Sequence, residues 1–173
     1  PESCGLECAA AVEETLSRRA GELAALVIEP LLLGPGGLIP QPPGYLERVV
    51  DAARRAEVLA IFDEVAVGMG RLGRMFAFET VRRRPDLLCL AKGLTAGMLP
   101  LSAVVVSKRV HRSFLGAFAE RRTFYHGHTF TGSALGCAAA LAALEVLSRE
   151  TFLRKLRQRT IPRFWRMLEA LRP

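Results

Sequence analysis

Two side chains stand out for the chemistry they could do together. Asp63 closes the apolar run V-L-A-I-F-D and Lys92 closes L-L-C-L-A-K, and a glycine-containing stretch follows each. An ionised carboxylate is rarely left in an apolar setting without a partner. An ammonium gives up its proton readily when desolvated, and the free amine can then condense with a carbonyl. Taken singly, each residue has a plainer reading. Lys92 could snorkel out of a core, and Asp63 could hold a metal in a nucleotide-hydrolysing site. The second reading needs a phosphate loop of the form G-x-x-x-x-G-K-[ST]. G-L-T-A-G at 93–97 lacks the trailing Lys and Ser/Thr. A loop before residue 1 could still supply that function, so the alternative stays open. A third polar cluster, T-F-Y-H-G-H-T-F-T at 123–131, carries the pair His126 and His128. No Cys or carboxylate lies at ligand spacing beside the pair, so no metal is expected there.

The elements that must position these residues follow from periodicity. Short continuous apolar runs read as buried parallel strands, and ligands gather beyond the carboxyl ends of such strands. Strands are predicted at 25–29, 58–62, 87–90 and 101–107. Apolar spacing predicts a helix over 6–23 and another opened by Pro42-Pro43-Gly44, with Tyr45, Val49, Ala52 and Ala53 inward. G-P-G-G at 34–37 marks a loop. A short helix is expected at 75–80 and a helix or turn at 110–115. An Ala-rich helix over 133–147 is expected to be buried on most sides, followed by a long basic amphipathic helix over 152–171. Strand and helix alternate through residue 120, which predicts an α/β domain with a mostly parallel sheet.

Composition narrows the function classes. The chain has 173 residues, half of them hydrophobic, enough for one domain with a real core and too apolar for general disorder. The formal net charge is +7. The basic residues are scattered over predicted helix faces rather than interleaved with aromatics, so nucleic acid is not an expected partner, whereas an anionic substrate or cofactor would suit the field. None of the four cysteines forms a C-x-x-C pair. Cys89 and Cys137 sit in apolar runs and are expected as buried thiols, which fits a reducing cytoplasm. No apolar run approaches the roughly 20 residues needed to cross a bilayer, so no membrane partner is expected. Pro1 and Pro173 are read as cut ends of a longer protein.

The joint placement of Asp63 and Lys92 favours one chemistry over the others. Enzymes that use pyridoxal phosphate pair a lysine, which captures the cofactor aldehyde, with a carboxylate on the pyridine nitrogen. Two adjoining strand ends could reach the two sides of one flat ring. Three stretches, D-E-V-A-V-G-M-G-R, P-D-L-L-C-L-A-K-G-L-T-A-G-M-L-P-L-S-A and H-G-H-T-F-T-G, resemble the class III aminotransferases in content, order and spacing. V-I-E-P with the following G-P-G-G and P-P-G-Y-L is similar to the family segment before the aspartate, so the resemblance covers essentially the whole chain.

That resemblance implies a fold and a set of roles. The fold would be the three-layer αβα sandwich of the PLP-dependent transferase large domain, present in part. Residues 1–150 would belong to that domain, and 151–173 would lead toward a smaller C-terminal one. Lys92 would bind pyridoxal 5'-phosphate covalently and move the proton between substrate and cofactor. Asp63 would face the ring nitrogen. Thr129 would donate to the cofactor phosphate from a neighbouring subunit of a homodimer. His128 would lie by the cofactor, and Gly127 by the substrate. Glu29, Glu64 and Arg71 are expected to be structural. Val67, Met69 and Ser133 depart from the usual Thr or Ser, Phe and Asn of the family, which bears on loop packing rather than on the chemistry. The stretch 114–132 is most similar to family members serving biotin synthesis, which implies small-molecule substrates, with S-adenosylmethionine as donor and 8-amino-7-oxononanoate as acceptor. A different ω-amino acid or diamine, a non-catalytic fragment, and a nucleotide-binding domain are the alternatives. The phosphate loop, the ring-stacking aromatic and the carboxylate-binding Arg of the family are not in the chain, so no turnover is expected from it alone.

Overall fold

The computed structural model describes residues 4–171. In chain order, α1 (Glu7–Arg18) leads to β1 (Ala25–Ile28). A small antiparallel hairpin follows, β2 (Leu32–Leu33) and β3 (Ile39–Pro40), folded around the G-P-G-G stretch. Then come α2 (Tyr45–Arg55), β4 (Leu59–Asp63), β5 (Leu87–Leu90) and β6 (Ala103–Val106). The chain continues through α3 (Lys108–Ser113), α4 (Ala134–Leu147), α5 (Glu150–Lys155) and α6 (Ile161–Glu169). The main sheet has the order β1-β4-β5-β6; β4 pairs parallel with β1 and β5, and β6 joins antiparallel at the edge. The fold is therefore α/β with a mostly parallel sheet.

The register separates the two faces of the sheet. Ile28, Phe62, Leu88 and Val105 are aligned across it, and so are Asp63, Cys89 and Val104 on the opposite face. Leu46 and Val50 of α2 and Ala140 of α4 join Ala60, Phe62, Leu88 and Leu90 in one core cluster. Phe62 is wholly buried and meets Phe78 with ring centroids 6.2 Å apart. Burying one such ring contributes about 1.5–3 kcal/mol. A second cluster joins α1 to α2 through Leu16, Ala52, Ala53 and Val58. The opposite sheet face carries no helix among the described residues, and Val27 on it is 64% exposed. The described residues thus supply two layers of the expected three.

Three expectations change in detail. The first helix stops at Arg18 and a 3-10 turn, Ala20–Glu22, follows, because Gly21 weakens the helix there. The last helix is interrupted by a π-helix, Leu156–Thr160, just before Pro162, which has no N–H for the regular ladder and crowds the preceding turn. The helix ends at Glu169, two residues before the expected end at Leu171. Finally, α4 is not buried on most sides. Only Gly136, Ala140 and Ala143 are fully buried, Leu144 and Leu147 pack partly against the core, Leu135 is 75% exposed, and Cys137 is exposed. An Ala-rich sequence shows that a helix can be packed; it does not show on how many sides. Cys89 is half-buried.

Candidate active site

Asp63 is the last residue of β4 and lies on the uncovered sheet face, opposite Cys89 of β5. It is half-buried. Its Oδ1 accepts a hydrogen bond from the Val65 amide at 3.0 Å, a local turn that fixes the carboxylate. Its Oδ2 has no partner among the described residues. Burial, and then the charge of Asp63, push the Cys89 thiol up from its ordinary value, so the neighbour presented to Asp63 is a neutral thiol.

Lys92 stands two residues beyond β5 and opens the 3-10 turn Lys92–Thr95. Its φ is +42°, in the left-handed region that a residue with a Cβ rarely occupies. The surrounding turn enforces this conformation. Leu94 N–H donates to Ala91 O at 2.9 Å, Gly97 N–H to Lys92 O at 3.2 Å, and the buried Thr95 hydroxyl to Leu99 O at 2.6 Å. A Cβ on Gly93 would lie 2.7 Å from Cβ of Met69, so only glycine lets the two loops approach this closely. The Lys92 side chain is exposed, and its amine has no hydrogen bond or ion pair among the described residues. Ala96, at the close of the same turn, is left-handed as well, with φ +52°.

The polar-aromatic loop is assembled differently. Phe114 and Phe124 meet edge-on at 5.3 Å, and Phe124 stacks on His126 at 5.4 Å. Phe130 N–H donates to His128 Nδ1 at 3.2 Å. The Ser133 hydroxyl caps α4 by accepting from Gly136 N–H at 3.4 Å. Gly127, His128 and Thr129 are all exposed and share no hydrogen bond with Asp63 or Lys92. The chain therefore brings Asp63 and Lys92 to adjoining strand ends and leaves the other three candidates on a separate exposed loop.

The three residues expected to be structural have definite surroundings. Glu29 Oε2 accepts from Gly34 N–H at 3.1 Å and its carbonyl from Gln41 Nε2 at 2.7 Å, which pins the hairpin. Glu64 is wholly buried. Arg71 is exposed without an ion pair among the described residues. Cys89 and Met69 flank the site without having been singled out for it. The signal for Cys89 was the alternation of L-L-C-L set against L-A-I-F-D. A cleft of about 530 Å³ runs along β1 and touches Asp63. It is mainly apolar, and neither Lys92 nor the 123–131 loop lines it, so it is not where the chemistry converges. Among the described residues no cluster of His, Cys, Asp or Glu is arranged to hold a metal, and no helix is long and apolar enough to cross a membrane.

Residues 2–172 match the family Aminotransferase class-III. The chain belongs to the class III aminotransferases. It is 48% identical over 173 residues to the adenosylmethionine-8-amino-7-oxononanoate aminotransferase of Nitratidesulfovibrio vulgaris, covering 100% of this chain and 31% of that protein. The crystal structure of the enzyme of the same name from Methanocaldococcus jannaschii superposes with a TM-score of 0.87 at 39% identity, over 95% of this chain and 38% of that one. The ornithine aminotransferase of Toxoplasma gondii, whose active site holds PLP at partial occupancy, superposes with a TM-score of 0.72 at 37% identity, over 84% of this chain and 32% of that one. This class III aminotransferase chain thus spans about a third of the length of the relatives it matches.

Proposed function

We propose that this chain carries the lysine and aspartate of a pyridoxal 5'-phosphate site in a larger cytoplasmic aminotransferase. That enzyme moves the amino group of S-adenosylmethionine to 8-amino-7-oxononanoate and yields 7,8-diaminononanoate for biotin synthesis. The observation that carries this reading is the pairing at adjoining strand ends of an unpartnered amine on strained backbone, Lys92, with a carboxylate that keeps one oxygen free, Asp63. The same two groups fit the cofactor, which needs an amine for its aldehyde and an anion for its ring nitrogen. The identity to a relative named for this reaction supports the choice of substrates.

When bound, pyridoxal phosphate supplies an aldehyde that captures an amino group and a ring that accepts electrons from the adjoining carbon. Lys92 Nζ would be the amine that holds the cofactor and the base that moves the substrate proton. Asp63 would face the ring nitrogen and keep it charged, with its carboxylate held in place by Val65 N–H. Thr129 of a second copy of the protein would donate its hydroxyl to the phosphate, with His128 beside the cofactor and Gly127 beside the substrate. A homodimer is therefore part of the reading. So is the division at residue 150, with 151–173 leading toward a smaller domain.

The test is chemical. The full-length protein is mixed with pyridoxal phosphate and reduced with borohydride, and the labelled peptide is mapped. Label is expected on Lys92; label elsewhere, or none, would sink the assignment. Turnover with S-adenosylmethionine, and not with β-alanine or putrescine, is expected in a donor panel. The reverse preference would move the protein to another class III reaction.

A further inference from the structure

Glu64 is the one fully buried acid among the described residues, and no cation is paired with it. Its four polar groups are all used. The backbone N–H donates to Cys89 O at 3.0 Å, which ties the end of β4 to β5 one residue beyond Asp63. The carbonyl accepts from Gly68 N–H at 2.9 Å, at the near end of the glycine-rich loop. Oε2 accepts from Ala77 N–H at 2.7 Å and Oε1 from Phe78 N–H at 2.8 Å, at the far end of that loop. Between these anchors Met69 packs against Gly93, the residue after Lys92. One residue thus holds both ends of the loop, the near end through its backbone carbonyl and the far end through its side chain. Two donors converge on it, so a group with two acceptors is required. A glutamine would point its own N–H₂ at one of them. Burial raises the Glu64 carboxyl above its ordinary value against the pull of those amides, so the arrangement carries a desolvation cost that a packing role alone would not require.

We infer that Glu64 is a positioning residue, whose carboxylate sets the spacing between Asp63 and Lys92 through the loop 65–80. The inference rests on the reading of Asp63 and Lys92 as cofactor contacts. It is tested with the full-length protein loaded with pyridoxal phosphate, by titrating the visible absorbance of the lysine-bound cofactor with pH and by timing cofactor release into a phosphate-free buffer. In Glu64→Gln the midpoint of the titration is expected to move by about half a pH unit or more. Release is expected to quicken about tenfold, because a small misplacement of paired groups is costly. A structural role alone would lower Tm and leave midpoint and release where they are; that result would overturn the inference. Met69→Gly leaves the Glu64 hydrogen bonds intact, suits the left-handed backbone at that position and removes the Cβ that packs on Gly93. It is expected to shift the midpoint in the same direction by less, and it decides the question if Glu64→Gln does not fold. No shift in Met69→Gly would then overturn the inference. Wild-type protein without lysine-linked absorbance would overturn the site reading itself. Wild type with it, and both variants unchanged, would remove only the role of Glu64.

Discussion

The turn that follows β4 and the loop at 114–133 contribute candidates for the same site, yet they are built in opposite ways. Around Asp63 and Glu64, Val67, Gly68 and Met69 are buried and the carboxylates receive backbone amides. In the loop, Phe118 is 92% exposed and Phe130 73%. The ring contacts of Phe114, Phe124, His126, His128 and Phe130 are only with one another. Leu135 and Leu141 of the adjoining α4 are exposed as well. Apolar groups gathered over one surface to this extent mark an interaction surface. The first region is finished by its own chain, and the second is shaped for contact. On the reading proposed above, the lysine and aspartate come from strand ends of one chain and the Thr129 contact comes from the exposed loop of a second.

Substitutions in the two regions should separate sharply. Lys92→Ala in the full-length protein is expected to lower amino transfer about a thousandfold or more while leaving Tm little changed, since the side chain is exposed. Retained borohydride labelling in that variant would break the comparison at its centre. Phe62→Ala empties a filled core position and should cost about 3–5 kcal/mol of stability, read by urea unfolding. Phe130→Ala should stay within about 0.5 kcal/mol in the same assay. It should instead shift the dimer toward monomer in sedimentation. Equal losses of stability would mean that the loop is packed by its own chain. Thr129→Ala should weaken cofactor binding about tenfold, the worth of one hydrogen bond to a charged group, with folding untouched.

The smallest effect concerns pH. Burial raises the Glu64 carboxyl, so folding favours its protonated form. The stability tied to this group is present below the unfolded carboxyl value and is lost as pH rises through the folded value. Arg83 and Arg48 lower the carboxyls of Asp51 and Glu13. Their contribution is present above the unfolded values and fails only as pH falls through the folded ones. Acidifying from neutrality toward the ordinary carboxylate range should therefore stabilise the cofactor-free wild type relative to Glu64→Gln, before Asp51 and Glu13 are lost. A Tm difference that does not change with pH would show that Glu64 does not titrate in this window.

Much of the strand-end region was legible beforehand. The strand at 87–90 is found residue for residue, β4 begins one residue later than the periodicity places it, and Ser133 caps the helix it was read to start. Asp63 and Lys92 do stand at adjoining strand ends. These features are local, since a run of apolar residues, a cap and a terminal charge lie within a few positions of one another. The role of Glu64 was not legible. Its partners lie 13 and 14 residues away, across a glycine-rich loop with no periodic pattern. Nor was the direction of β6, because the same apolar run suits a parallel or an antiparallel neighbour.

The sequence by itself determined the two strand ends and the charged residues they deliver, because apolar run length and terminal residue type act at short range, and three motifs carried its resemblance to the family. Only the tertiary structure decided the sheet register that sets Asp63 beside Cys89, the left-handed turn at Lys92 and the buried carboxylate that clamps the loop between them. It also decided that α4 and the aromatic loop are exposed on this chain. Register, strain and burial depend on which distant surfaces meet. No stretch of sequence states that alone, since the same apolar side chain is core or interface according to what covers it.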